Sequence, residues 1–310
     1  MFSLKKNDSF GISQIETAMI KASELIVNPD GSIFHLHLKP EQIADTIFLV
    51  GDPGRVDMIA SFFDKIEYEI QNREFKTVTG WFNGKRLSVV ATGIGTDNID
   101  IVVNELDALA NIDLEKRELK TEHRQLNLIR IGTSGSLQAD VPVGSYVVSK
   151  KSIGFDGLLN FYEGRNAVSD LDFEQAFMQY TQWGGLLAKP YVVDCSNELF
   201  DLMHSEKTVQ GVNISAPGFY GPQGRVLRIG LADSDINEKI ERFNFVGQKI
   251  TNYEMESSAI YGLSKLLGHR ALTVCLIIAN RVNKNALENY YPKMEELVKY
   301  VLERMSNLPA

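Results

Sequence analysis

From residue 47 onward, hydrophobic residues fall in short, nearly continuous runs that end at glycine or a small polar residue. The clearest runs are Ile47–Val50, Leu87–Ala91, Leu126–Ile131 and Ala271–Ile278. Strands buried on both faces have this near-continuous pattern, whereas strands with one solvated face alternate between apolar and polar residues. Each run is therefore predicted to be a buried β-strand.

Helical patterns lie between these runs. Residues Ile99–Leu109 form an amphipathic stretch that follows the second run. Alternation of strands with helices is typical of α/β layer folds. We therefore predict a three-layer sandwich in which a mixed, largely parallel central sheet is flanked by helices. Because no linker or internal repeat interrupts the pattern, residues 34–310 are predicted to form a single domain.

The remaining segments depart from this pattern. Residues 1–33 are predicted to be an N-terminal extension with some helix near Ile15–Val27, and they end in Asn28-Pro-Asp-Gly31, a strong turn signal. Leu114–Gln125 is strongly charged and is predicted to be a solvated helix or loop. Asn160–Pro190 is rich in polar and aromatic residues and has no clear period. Both internal segments are interpreted as insertions.

The composition narrows the class of protein. Of 310 residues, 44% are hydrophobic, which is ample for a substantial core. The net charge of -8 argues against nucleic acid or an anionic membrane as a partner. Cys195 and Cys275 match neither a CxxC nor a zinc pattern, as in proteins of the reducing cytosol. Because no signal-peptide or transmembrane run is present, we expect a soluble, cytoplasmic protein.

Glycine-containing loops are predicted at the ends of three strands: Gly51–Arg55, Thr92–Thr96 and Gly132–Gly135. At the carboxyl ends of strands in α/β sheets, such loops let backbone N–H groups approach an anion. Taken alone, each loop is more often an ordinary turn, and none has a Walker A or GxGxxG pattern. Together with the neighbouring Arg55 and Arg130, the loops favour an oxyanion site, with phosphate as the obvious ligand.

The stretch Asn252-Tyr-Glu-Met-Glu-Ser-Ser-Ala-Ile-Tyr261 places two acids at the start of a predicted helix. In a regular helix these side chains would point roughly 200° apart, whereas in extended backbone they would share a face. Carboxylates accept hydrogen bonds from vicinal hydroxyls, such as those of ribose. We assign this role to Glu256 and a secondary, orienting role to Glu254. For both acids the alternative is to complement the helix dipole.

Seven motifs in this chain resemble, in the same order, those of the uridine phosphorylase branch of nucleoside phosphorylases. They are Phe34-His-Leu36, Gly51-Asp-Pro-Gly-Arg-Val56, Arg73-Glu-Phe75, Thr92-Gly-Ile-Gly95, Arg130-Ile-Gly-Thr-Ser-Gly135, Phe219-Tyr-Gly-Pro-Gln-Gly-Arg225 and Asn252–Ser257. The resemblance implies a nucleoside phosphorylase-like fold and a pentosyltransferase of nucleoside catabolism and pyrimidine salvage. The implied reaction is reversible phosphorolysis, in which uridine and phosphate give uracil and ribose 1-phosphate.

The resemblance also implies two sets of substrate ligands. The phosphate ligands would be Gly51, Arg55, Arg130 and Thr133, with Arg73 donated by a neighbouring subunit. The ribose ligands would be Thr133, Met255 and Glu256, with His35 contributed by the partner chain. A homodimer is then the minimal active unit, and because family members form dimers or trimers of dimers, the hexamer stays open.

The motif Phe219–Arg225 is predicted to bind the base. Gln223 offers a donor and an acceptor and Arg225 only donors, so together they match the carbonyls and N–H of a uracil edge. Phe219 is expected to pack on the sugar or the base. An ordinary exposed turn is the alternative when this loop is considered alone. Arg130, Gln223, Arg225 and Glu256 are the predicted catalytic residues.

No metal or cofactor is predicted, and phosphate is a co-substrate. His35 and His37 would share a face on a strand, but no third ligand stands at a sensible spacing. The chain has Thr96-Asp-Asn98 where relatives commonly have Gly-Pro-Ser, a turn that in some bacterial members helps form an interface cation site with the glutamate matching Glu74. Asp97 therefore places a monovalent cation at the dimer interface in doubt.

Three other functions stay open. A nucleosidase would cleave the same bond with water and should lack the phosphate arginines. A purine phosphorylase would have an aspartate where this chain has Asn280-Arg281. A non-catalytic nucleoside sensor would keep the pocket without turnover.

Overall fold

A twelve-stranded sheet runs through the protein, whose computed structural model describes residues 19–308. The helices are α1 (Pro53–Ala60), α2 (Thr96–Asn111), α3 (Arg165–Val168), α4 (Leu171–Thr181), α5 (Asn197–Met203), α6 (Ile236–Arg242), α7 (Ser257–Leu266) and α8 (Tyr291–Ser306). The first seven strands are β1 (Thr46–Val50), β2 (Lys65–Asn72), β3 (Phe75–Phe82), β4 (Lys85–Ala91), β5 (Ile112–Asp113), β6 (Glu118–Leu119) and β7 (Asn127–Ser136). The others are β8 (Tyr146–Gly154), β9 (Tyr191–Asp194), β10 (Thr208–Ser215), β11 (Asn244–Phe245), β12 (Gln248–Glu254), β13 (Arg270–Asn280) and β14 (Asn285–Ala286).

The large sheet is mixed, as predicted. Its order is β11-β12-β10-β8-β13-β7-β1-β4-β3-β2, with β9 beside β8 and β14 beside β13. The neighbours of β1 and the pairs β7–β13, β8–β10 and β10–β12 are parallel, whereas β8–β13 and the β2-β3-β4 meander are antiparallel. The predicted fold class, a single α/β domain with a central sheet flanked by helices, is confirmed.

The sheet also closes on itself, which the apolar pattern did not predict. Asn252 and Tyr253 of β12 pair antiparallel with Ser136 and Gly135 of β7. Because β12 also continues through β10, β8 and β13 back to β7, these strands form a closed ring. The closure brings the carboxyl end of β12 against the carboxyl end of β7.

The predicted buried strands are present as β1, β4, β7 and β13, and their apolar side chains belong to the main core. The amphipathic run Ile99–Leu109 lies within α2, which buries Ile99, Val102, Val103 and Leu106. Among the described residues, no helix has the length and apolar character that crossing a membrane requires.

One predicted loop is part of a strand. Gly132–Gly135 does not turn away after Arg130 but continues β7 to Ser136, paired with β13. The glycine is required by packing rather than by a turn, since a β-carbon at position 132 would lie 1.6 Å from Nη1 of Arg130. The arginine side chain therefore folds back along its own strand.

Two further expectations need correction. The predicted helix near Ile15–Val27 is wrong for residues 19–27, which form turns, and its first four residues lie outside the described chain. The segment Asn160–Pro190 contains α4, a helix the pattern missed, with Asp170 capping its start.

Leu114–Gln125, predicted to be a helix or a loop, is a loop that carries the short β6. The domain boundary at residue 34 stays a prediction.

Candidate active site

A cavity of about 260 Å³ opens at the carboxyl ends of the central strands. It gathers most of the predicted site residues: Gly51, Arg55, Arg130, Thr133, Phe219, Gln223, Arg225, Met255 and Glu256. Ligand sites of α/β sheets lie at this edge. Two predicted residues, Arg73 and His35, do not line the cavity.

Arg55 is held in the cavity by the loop that precedes α1. Asp52 caps α1 through the Arg55 N–H (3.0 Å) and also accepts from Nε of the same residue (2.6 Å). Nη1 of Arg55 donates to the Ile131 carbonyl of β7 (3.2 Å). A β-carbon at Gly51 would lie 2.9 Å from Nη2 of Arg55, so only glycine leaves room for this guanidinium.

Arg130 lies at the floor of the cavity between two carboxylates. Its Nη2 pairs with Oε2 of Glu256, and its Nε lies 3.5 Å from Oε2 of Glu254. All three residues are buried. Burial alone would lower the pKa of Arg130, but the two carboxylates outweigh this effect and raise it. The guanidinium is therefore a permanent, desolvated positive charge, which suits anion binding.

The two glutamates have different environments. Glu254 ends β12 and accepts hydrogen bonds from the Ser215 hydroxyl (2.5 Å) and from the N–H groups of Glu256 and Ser257 (both 3.0 Å). It therefore caps α7, and the secondary role predicted for it agrees with this geometry. Desolvation raises the pKa of Glu254.

Glu256 occupies the N-cap position of α7 but makes no capping bond with its own side chain. Its Oε1 instead accepts from the N–H of Gly95 (2.9 Å), in the loop before α2, and its Oε2 pairs with Arg130. Because the capping is done by another residue, the Glu256 carboxylate is directed into the cavity.

At the other end of the cavity, Gln223 is held by two arginines. Its Oε1 accepts from Nη1 of Arg225 (2.7 Å) and from Nη2 of Arg281 (2.9 Å). Arg225 lies over the Phe219 ring, 3.7 Å from its centroid. Arg281 lies over the Tyr253 ring, and burial together with the nearby Arg225 lowers the pKa of Arg281 to about 10.

Arg281 is the main site residue that sequence reasoning missed. Its neighbour Asn280 was compared with the purine-branch aspartate, but the Asn280 amide donates to the carbonyls of Gln138 and Val141 and holds a loop. The sequence signal for Arg281 is its position directly after β13, at the strand end where ligand sites of α/β sheets lie.

Arg73 and His35 lie together outside the cavity. Arg73 occupies the turn between β2 and β3 with a positive φ of 54°, and its guanidinium lies 5.8 Å from the centroid of Phe34. His35 contacts Glu105 through Nδ1 (2.6 Å), and its carbonyl accepts from Asn72 (2.8 Å). His35 lies in a turn rather than in a strand, where it would have shared a face with His37. A role in the site thus requires donation to another subunit.

The turn that departs from the family pattern begins α2. Asp97 is exposed in the first turn of this helix, where a negative charge complements the dipole. The Asn98 amide lies 3.4 Å from Oε1 of Glu74. An amide donor therefore faces the glutamate that was compared with a cation ligand.

Among residues 19–308, a single group, Asp107, His123 and His269, has the proximity that metal binding requires. The Leu126 N–H donates to Nδ1 of His269 (3.2 Å), so Nε2 of His269 is the nitrogen that donates to Asp107 (3.1 Å). A protonated nitrogen has no lone pair for a metal ion. The group is therefore explained as a hydrogen-bonded contact.

Comparison with known proteins places the chain among nucleoside-cleaving enzymes. The model of the phosphorylase superfamily matches residues 45–307. A uridine phosphorylase of Thermococcus kodakarensis is 28% identical over 82% of this chain and 79% of its own length. A DeoD-type purine nucleoside phosphorylase of Listeria welshimeri is 28% identical over 78% of this chain and 85% of its own length. The crystal structure of a Trypanosoma brucei nucleoside phosphorylase, described as showing uridine phosphorylase activity, superposes with a TM-score of 0.81 at 29% identity, covering 91% of this chain and 99% of that one.

Proposed function

This chain belongs to the phosphorylase superfamily, and from that membership we propose that it catalyses the reversible phosphorolysis of pyrimidine nucleosides. Uridine and phosphate would give uracil and ribose 1-phosphate, which makes the enzyme a pentosyltransferase. One observation carries the proposal: a single cavity is lined by Arg55 and Arg130, by the Glu256 carboxylate that pairs with Arg130, and by the pair formed by the Gln223 amide and the Arg225 guanidinium.

Phosphate would bind at the arginine end of the cavity. Arg55 and Arg130 supply charge-assisted donors, and Thr133 lies in the same wall. Arg130 and Glu256 pair with each other. Phosphate would bind Arg130 and the ribose hydroxyls would bind Glu256 in place of this ion pair. Binding of the two substrates would then be mutually supportive.

Cleavage of the glycosidic bond builds positive charge on the ribose and negative charge on the base. A phosphate bound beside Arg130 would stabilise the ribosyl cation and stand ready to attack C1′. Gln223 and Arg225 would stabilise the departing uracil anion, so no separate general acid is needed. Phosphate is the nucleophile and a co-substrate, and no other cofactor is proposed.

Both pyrimidine and purine phosphorylases are among the relatives. The surroundings of Gln223 favour a pyrimidine, because Arg225 and Arg281 concentrate donors where uracil has carbonyl oxygens. The structural neighbour described as having uridine phosphorylase activity supports the same choice.

The experiment that tests this function follows uridine cleavage with and without phosphate, with inosine and thymidine as comparators. We expect cleavage of uridine that depends on phosphate and yields ribose 1-phosphate. Phosphate-independent cleavage would identify a nucleosidase, preference for inosine would identify a purine enzyme, and binding without turnover would identify a sensor.

We further propose that the active unit is a homodimer. Arg73 and His35 lie together outside the cavity of their own subunit, so they can act only on a neighbouring site. In a two-fold dimer each subunit would contribute the pair to its partner. A trimer of such dimers is compatible with this arrangement. Since Asn98 faces Glu74, no interface cation is proposed.

Exchange of subunits tests this arrangement. Arg73→Ala and Arg130→Ala homodimers are each expected to be inactive. In their heterodimer, one of two sites combines an intact Arg130 with an intact Arg73 from the partner. Equal co-expression should therefore restore about a quarter of wild-type turnover, because half of the dimers are mixed and each has one working site. No recovery in purified heterodimers would contradict donation between subunits.

We also propose that the enzyme acts in the cytoplasm in pyrimidine salvage. Cys195 and Cys275 are buried free thiols, and burial raises the pKa of each to about 12. Cysteines that form no disulfide are typical of proteins in a reducing compartment.

A further inference from the structure

The first turn of α7 is fixed from outside the helix by three strand ends. Glu254, at the end of β12, accepts from the N–H groups of Glu256 and Ser257. Ser215, at the end of β10, accepts from the Ser258 N–H (2.9 Å). Asp156, just after β8, accepts from the Ser258 hydroxyl (3.2 Å). The backbone on both sides of Glu256 is therefore tied to the sheet.

Asp156, one of the three residues that hold the first turn of α7, does not line the cavity. Its Oδ1 accepts from the buried Tyr191 hydroxyl (2.9 Å) and from the Leu158 N–H (2.7 Å). The Tyr191 and Ser258 oxygens lie 3.0 Å apart, so the carboxylate, the phenol and the serine form one cluster behind α7.

We propose that Asp156 is a positioning residue for the ribose-binding carboxylate of Glu256, acting through Ser258. The inference rests on the proposed function, in which Glu256 accepts from the 2′- and 3′-hydroxyls of the nucleoside. Ser258 lies two residues beyond Glu256, so a shift of the first turn of α7 moves the Glu256 carboxylate relative to Gly95 and Arg130. Displacements on the order of 1 Å are enough to lose up to about 100-fold in rate.

The Asp156 carboxyl is buried and takes part in several hydrogen bonds. Burial raises the pKa of Asp156, although hydrogen bonds from Leu158 and Tyr191 oppose that effect. An acid with a raised folded-state pKa lowers stability when it is ionised, that is, as pH rises through the unfolded-state pKa and above. Ionisation of Asp156 therefore adds no stability relative to its protonated form, whereas its hydrogen bonds with Ser258, Tyr191 and Leu158 fix the geometry of the cluster.

A rival explanation is that Asp156 only holds the short turn Leu158–Phe161 through the Leu158 N–H. Ser258→Ala distinguishes the two explanations. It removes the hydrogen bond from the Ser258 hydroxyl to Asp156 and leaves the hydrogen bond from the Leu158 N–H in place. Asp156→Asn is the second variant. The matched control is Glu174→Gln, since Glu174 is a buried carboxylate that pairs with Arg165 (3.0 Å) and receives the Val192 N–H (3.0 Å) outside the cavity.

The measurement is kcat/KM for uridine and for 2′-deoxyuridine at saturating phosphate, together with KM for phosphate and Tm. A misplaced Glu256 costs more with uridine, because deoxyuridine lacks the 2′-hydroxyl. We expect Ser258→Ala and Asp156→Asn to lower the uridine-to-deoxyuridine ratio by about three- to tenfold, with KM for phosphate changed less than about twofold. Glu174→Gln should lower Tm and leave the ratio unchanged.

An unchanged ratio in Ser258→Ala would overturn the positioning role, and so would an equal change in Glu174→Gln. Failure of the proposed function is visible separately, because the wild-type protein would then not cleave uridine with phosphate. That result would overturn the inference together with the function. A lower uridine-to-deoxyuridine ratio in Asp156→Asn but not in Ser258→Ala would support the rival explanation and overturn the positioning role.

Discussion

Replacing Arg130 with alanine is expected to abolish phosphate-dependent cleavage of uridine, with a loss in kcat/KM of at least about a thousandfold. Arg130 is buried and pairs with Glu256, and in the proposed mechanism it both binds phosphate and balances charge as the bond breaks. The steady-state rate at saturating phosphate measures the effect. Phosphorolysis near the wild-type rate would remove Arg130 from the mechanism.

Arg130→Ala will also lower stability, because Glu254 and Glu256 then stay buried without a counter-charge. Breaking a buried ion pair from one side costs about 3–5 kcal/mol. Arg165→Ala is the matched control, since Arg165 is also buried and pairs with Glu174 outside the cavity. We expect a comparable fall in Tm with little loss of turnover below that Tm. Phosphate should raise Tm in Arg165→Ala but not in Arg130→Ala.

Replacing Glu256 with glutamine is expected to lower kcat/KM for uridine about 100-fold or more. In the proposed complex, the variant weakens two charge-assisted hydrogen bonds to ribose hydroxyls, each worth about 1.5–3 kcal/mol. The loss should be smaller with 2′-deoxyuridine, which offers one hydroxyl fewer. Parallel kinetics on both nucleosides measure the difference.

The neighbouring Glu254→Gln variant serves as the comparison for Glu256→Gln. Because Glu254 caps α7 by accepting from the N–H groups of Glu256 and Ser257, its replacement should chiefly lower Tm. Its loss of turnover should be similar for uridine and 2′-deoxyuridine. A uridine-specific loss as large as that of Glu256→Gln would show that the two acids share the ribose.

Local patterns were sufficient wherever a feature depends on neighbouring residues. Apolar runs predicted β1, β4, β7 and β13, and the two-residue spacing of Glu254 and Glu256 indicated that the two acids differ, as their hydrogen-bond partners do. The helix predicted near Ile15–Val27 is wrong for residues 19–27, which form turns, and the loop predicted at Gly132–Gly135 is part of a strand. The space that Arg130 needs beside Gly132 depends on packing that local propensity does not include.

Sequence patterns were sufficient to predict the fold class, the family resemblance and the residue types that could form a phosphate, ribose and base site. Which of these residues lie close together depends on the three-dimensional packing of the chain. Gly95 donates to Glu256 across 161 residues of sequence, and Arg281 holds Gln223 across 58. These contacts depend on strand order and on the closure of β12 against β7. Side-chain periodicity is a local property of the chain, whereas a binding site depends on the long-range packing that brings distant strand ends together.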